Sequence, residues 1–136
     1  MNPTISNKFN RIALVVLMGL MTLQMSCKKN LDTLSGTVWT YSEIYDKYET
    51  FDYTLIFMEN TFTLRVKDII SPDDPYPEDL SGSMEGTYIY NPPNVTFDGV
   101  DSEGNSGKTY ATISGNQITF NEFYTMKGNP LVLTKQ

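Results

Sequence analysis

The chain has 136 residues, 40% of them apolar and 12% aromatic, with ten basic and sixteen acidic side chains, one cysteine and no histidine. That length holds one compact domain and no second one. The missing histidine excludes Ser-His and Cys-His nucleophiles and histidine metal centres, and the acid excess opposes nucleic acid, whose binding rests on basic patches that release counterions.

Residues 1–26 read as an export signal, because Lys8 and Arg11 precede an uncharged apolar run from Ile12 to Leu23, followed by the small Ser26 and then Cys27. At about 12 residues the run is too short for a membrane span, which needs about 20. A lone cysteine in an exported chain closes no internal disulfide. An intermolecular bridge, a free thiol or an acyl attachment remain, and the place of Cys27 directly after the apolar run favours the last.

Leu23-Gln24-Met25-Ser26-Cys27 resembles the lipobox of bacterial lipoproteins, with the leucine one place earlier than usual. The resemblance implies cleavage before Cys27 and its lipidation, making the membrane the first partner; two or three acyl chains hold firmly where one holds marginally. Loss of residues 1–26 removes two bases and no acid, leaving eight bases against sixteen acids and a charge of −8. A basic protein or a cationic ligand is then the electrostatically easier partner, although acidity also serves plain solubility. Residues 27–35 form the lipidated end and a short polar tether.

From residue 36 to residue 136, period-two alternation dominates and no helical period appears. Gly36 to Tyr45 reads as the first strand, with Trp39, Tyr41 and Tyr45 on one face. Phe51 to Met58 follows, with Phe51, Tyr53, Leu55 and Phe57 pointing one way and Asp52 and Thr54 the other. Glu59-Asn60 turns the chain into Thr61 to Lys67, where Phe62, Leu64 and Val66 face inward and Arg65 and Lys67 outward. Asp68 to Ser83, with Pro72, Pro75, Pro77 and four acids at 73, 74, 78 and 79, reads as a long loop. Gly86 to Asn91 and Asn94 to Gly99 are strands joined at Pro92-Pro93. Asp101 to Gly107 is a loop, followed by strands at Lys108 to Ile113, Gln117 to Phe123 and Leu131 to Lys135. Short strands with turns at this spacing indicate an all-β barrel or sandwich.

Leu34-Ser35-Gly36-Thr37-Val38-Trp39, Phe57 with Asn60-Thr61-Phe62, Gly86-Thr87-Tyr88 and Ser114-Gly115-Asn116-Gln117-Ile118 resemble the lipocalin-like domains of small Bacteroidetes lipoproteins. The resemblance covers the whole mature domain. It implies an antiparallel up-and-down barrel of about eight strands, lipocalin-like or calycin-like, at the outer membrane, and it implies no particular activity. Lys28-Lys29 after Cys27 differs from the acidic surface-export signal of many such proteins, which favours the periplasmic face.

No catalytic motif, cofactor motif or metal-ligand spacing is present. Asp73, Asp74, Glu78 and Asp79 sit on backbone extended by prolines, and Asp101-Ser102-Glu103-Gly104-Asn105 resembles a calcium loop but has Thr112 at the twelfth place, where a bidentate glutamate belongs. Asp46, Glu49, Glu59, Asp98, Asp101 and Glu103 fall in or beside turns and read as solvated.

The inward aromatic set is the candidate ligand-binding surface: Trp39, Tyr41, Tyr53, Phe57, Phe62, Tyr88, Tyr90, Phe97, Tyr110 and Phe120. An eight-stranded barrel is only just wide enough for its own side chains, so a filled core with an open mouth, rimmed by the loop from Asp68 to Ser83, is favoured over a deep cavity. Arg65, the one arginine of the mature chain, lies on the outer face, which leaves an anionic lipid without an internal partner. The leading expectation is a non-enzymatic binder of a small apolar ligand. The competing one is a protein-interaction or inhibitor module directed at a basic protein.

Overall fold

The structure, a computed structural model, describes residues 33–136; the signal segment, Cys27 and residues 28–32 of the tether lie outside the described residues. Eight strands follow in chain order: β1 (Val38–Ile44), β2 (Glu49–Phe57), β3 (Thr61–Ile70), β4 (Gly82–Asn91), β5 (Asn94–Asp101), β6 (Ser106–Ser114), β7 (Gln117–Tyr124) and β8 (Pro130–Lys135). Each pairs antiparallel with the next, and β8 returns to β1, giving a closed up-and-down barrel. This is the lipocalin-like architecture expected from the sequence, and closure leaves no whole strand as a free sheet edge.

Alternation decides which side chains fill it. On β2, Phe51, Tyr53, Leu55 and Phe57 point inward and are buried. Their partners on β3 are Asp68, Val66, Leu64 and Phe62, so one inward row faces another. Phe97 is the centre of the ring cluster. Its ring stacks on Phe120 at 5.2 Å and meets Phe62 edge-on at 4.8 Å, while Phe57 meets Tyr88 edge-on at 4.8 Å. Such pairs each contribute about 0.5–1.5 kcal/mol beyond the area they bury.

Two glycines make room for that cluster. Gly86 and Gly99 are cross-strand partners. A Cβ on Gly86 would lie 2.5 Å from the Gly99 Cα, and one on Gly99 would lie 3.0 Å from the Phe62 ring.

Several boundaries differ from the sequence reading: β2 begins at Glu49, and Asp101 and Ser106-Gly107, expected in a loop, end β5 and begin β6, because Met84 and Gly99 to Val100 draw them into the ladder. Leu34, expected in the solvated tether, is buried in the core. It is held there because its carbonyl accepts the Thr37 N–H (3.0 Å) and hydroxyl (2.6 Å), while the Gly36 N–H donates to the Phe57 carbonyl (2.8 Å). Asp68 to Ile70, expected in the long loop, extend β3 by pairing with Phe51, Thr50 and Glu49, and β4 begins at Gly82, so the loop shrinks to residues 71–81. Tyr45 lies beyond β1, in the turn, and meets Phe51 edge-on at 5.8 Å.

Closure is unequal along the seam. The β1–β8 ladder consists of Trp39–Lys135 and Thr40–Thr134, and β7 shifts register against β8 between Thr119 and Tyr124. Near Trp39 the end is sealed further by Gln136, whose N–H donates to the Val38 carbonyl at 2.9 Å.

Alanine at position 86 is expected to lower stability by about 3 kcal/mol, because its methyl meets rigid backbone. Alanine at position 107, where a Cβ meets nothing within 4 Å, is expected to stay within about 0.5 kcal/mol of the parent. Urea unfolding midpoints of the two variants check the difference.

Candidate functional site

Up-and-down order sends the connections alternately to the two ends of a barrel. At the end near Trp39 lie the tight β2–β3, β4–β5 and β6–β7 turns. At the other end, the mouth, lie the β1–β2 turn, the loop 71–81, the short loop between β5 and β6, and the β7–β8 turn.

A cavity of about 430 Å³ opens at the mouth. Tyr53, Leu64, Val66, Met84 and Phe123 line it from the strands. Leu80 from the loop 71–81, Tyr124 and Met126 complete the apolar side, and Asp101, Ser102, Glu103 and Asn105 form a polar side. This volume falls in the usual range for small-molecule sites, which pair apolar walls with a few polar groups.

Side-chain hydrogen bonds fix the mouth. Asp101, on the inward row of β5, accepts the backbone N–H groups of Glu103 (2.9 Å) and Asn105 (2.8 Å). The Asn105 side-chain amide donates to the same carboxylate at 3.1 Å. These bonds, the Asn105 side chain foremost, hold the Asp101 carboxyl below its ordinary value. Asp68 is 8% exposed; one of its oxygens accepts the Leu80 N–H at 3.1 Å, and its own N–H donates to the Ser81 hydroxyl at 3.0 Å. The end of the loop 71–81 that leads into β4 is thereby tied to β3.

The β7–β8 turn forms a strap. Its Thr125 hydroxyl donates to Glu43, which is 4% exposed, at 3.0 Å. The Met126 N–H donates to the Tyr53 hydroxyl oxygen at 3.0 Å. Burial, only partly opposed by this bond, pushes the Tyr53 phenol up, so it stays neutral at the base of the strap.

The ten aromatic candidates separate. Trp39, Phe57, Phe62, Phe97 and Phe120 are buried and fill the barrel, with Tyr88 and Tyr90 packed against them. Tyr88 also donates its hydroxyl to the Met58 carbonyl at 3.0 Å, closing the end opposite the mouth. Tyr53 is the member of the set that lines the cavity. Tyr41 shares the inward register with Tyr53 but is 37% exposed; the β1–β8 ladder stops one residue short of it.

Tyr110 corrects the inward assignment. It is 45% exposed, because Thr109 and Ala111 on either side take the inward positions of β6. Arg65 is exposed on the outer face as expected. Among the described residues, no group of three or more acidic, histidine or cysteine side chains is arranged to hold a metal ion.

Sequence reasoning missed most of the site. Glu43 and Asp68 were legible in principle, since they continue the inward rows Trp39-Tyr41 and Leu64-Val66. Met126, Leu80 and Phe123 carried no such signal, because two lie on connections and the third follows a register shift. Comparison with protein-family models, with curated proteins and with solved structures finds no match to this chain. What defines the protein's class is therefore its fold and its site: a closed eight-stranded barrel, filled at one end and cavity-bearing at the other.

Glu49 ends the inward row of β2, and partial burial together with Asp68, Asp46, Asp74 and Glu78 raises its carboxyl. A raised carboxyl binds its proton more tightly in the folded state, so its contribution to stability is fully present below the unfolded value and lost as pH rises through the folded one. Glu49→Gln is therefore expected to stabilise the protein at neutral pH, with the gain vanishing below about pH 4. Thermal melts of parent and variant between acid and neutral pH check the sign.

Proposed function

We propose that the chain is a non-enzymatic, lipid-anchored binding protein of the bacterial outer membrane, held at its periplasmic face through acylated Cys27, whose barrel mouth takes a small apolar ligand. The cavity at the mouth is the observation that supports this reading. Its floor is apolar, its rim polar, and its lining includes the adaptable side chains Met84 and Met126. Burying apolar ligand surface there contributes about 25 cal/mol per Å² before the cost of immobilising the ligand. A chain tethered by lipid meets amphiphiles at the membrane surface, where such ligands concentrate. The resemblance to lipocalin-like domains of small lipoproteins points the same way, and no motif in the chain argues for catalysis.

Binding is tested with the neutral fluorophore N-phenyl-1-naphthylamine and the full-length protein. Saturable, blue-shifted emission is expected from the parent, with affinity at least about tenfold weaker for Val66→Trp, whose added ring fills the cavity. Failure of the parent to saturate, or equal affinity in the variant, rejects the site.

Anchoring is tested separately, by mass spectrometry of the envelope fraction. The mature chain is expected to begin at Cys27 and carry two or three acyl chains, and Cys27→Ser is expected to lose both the added mass and the membrane association. An intact leader on the mature protein rejects the anchor.

A further inference from the structure

The charged side chains that line the cavity, Asp101 and Glu103, are both acidic. Inward positions of β1, β3 and β5 near the mouth are taken by Glu43, Asp68 and Asp101, all acidic, with Ile70 one inward place beyond Asp68 at the end of β3. Asp101 lines the cavity with Glu103. Glu43 and Asp68 do not line it: each uses one carboxylate oxygen to hold a connection that bears a lining residue, Glu43 through Thr125 next to Met126, and Asp68 through Leu80.

Their other oxygens are left over. Among the described residues, the buried side-chain polar atoms without a partner are Glu43 Oε2, Asp68 Oδ1 and Thr109 Oγ1. Thr109 follows Gly107, a lining residue, on the inward row of β6. Two of these atoms are carboxylate oxygens; buried and outside the cavity lining, they act on a ligand through their charge and not by contact. No basic side chain lines the cavity. Lys127 on the strap and Arg65 and Lys67 on the outer row of β3 are exposed.

We propose that the cavity is selective for an apolar molecule carrying a protonated amine, with its apolar body among Leu64, Val66 and Met84 and its ammonium group at the mouth beside Asp101 and Glu103, in the field of Glu43 and Asp68 at the same end of the barrel. Ammonium complements this acidic rim: it brings several donors and no acceptor, and its charge opposes that of the carboxylates. A carboxylate head would add an acceptor and a like charge to the same place, and a hydroxyl head would satisfy one acceptor without charge. This selectivity rests on the ligand-binding reading above, and the test separates the two.

Decylamine, decanol and decanoate share one apolar body and differ in the head. Their binding to the full-length protein near neutral pH, by displacement of N-phenyl-1-naphthylamine, is expected to rank amine first, alcohol second and carboxylate last. The amine is expected to lead the alcohol by roughly tenfold, the scale of one partly screened charge contact, and the lead should narrow with salt. Asp101→Asn combined with Glu103→Gln, and separately Asp68→Asn, keep oxygen acceptors for the loops while removing charge. In each, the amine's lead over decanol, both measured on the same variant, is expected to contract. Equal binding of amine and alcohol, decanoate binding as tightly as decylamine, or a lead undiminished in both variants overturns the selectivity. Decanol binding by the parent then leaves the cavity reading standing, whereas a parent that binds neither decanol nor the fluorophore overturns both.

Discussion

Every strand of this barrel closes around one column of aromatic rings. Phe97 stacks on Phe120, takes the edge of Phe62 and lies 5.8 Å from Phe57, so rings from β2, β3, β5 and β7 meet at one level. An eight-stranded barrel has an interior of about that width, and filling it at this level joins opposite walls that share no ladder. The close approach of Gly86 and Gly99 is a condition of the same packing, since a side chain there would displace backbone or the Phe62 ring. Each fully buried ring contributes about 1.5–3 kcal/mol.

Filling one level leaves another unfilled. Toward the mouth β2 keeps the rings of Tyr53 and Phe51, but the inward positions of β3 and β4 change to Leu64, Val66 and Met84, and on β3 then to Asp68, and the side-chain volume on that wall no longer fills the interior. The cavity lies at this transition. The seam behaves alike: where the β1–β8 ladder ends, Glu43 and Tyr53 take over by holding the strap through Thr125 and Met126. Carboxylates that would be costly to bury alone are tolerated because each is hydrogen-bonded through one oxygen to a connection it positions. Structural anchoring and an acidic mouth thus arise from the same side chains.

The fold was legible because its determinants are local. The β2–β3 hairpin follows from strict alternation over Phe51 to Phe57 and Phe62 to Val66, and the turns at Asn60, Pro92-Pro93 and Gly115-Asn116 are marked by residue type. Errors came where tertiary pairing extended an element past its local signal. Asp68 and Ile70 read as loop beside three prolines, yet Phe51 and Glu49 draw them into the ladder. Tyr110 read as inward by its bulk, although Thr109 and Ala111 hold the inward phase. Leu34 read as tether because burial of a single leucine next to polar neighbours leaves no periodic trace.

Composition and alternation by themselves determined an all-β domain, its strand order of magnitude, the rings that fill it, the outward Arg65 and the absence of histidine chemistry, because each depends on residue identity and on neighbours two positions away. Only the tertiary structure decided where the interior stays open and which carboxylates surround the opening. Those depend on the level at which opposite walls meet and on connections folding back over the mouth, and such relations join residues as distant in the chain as Glu43 and Thr125.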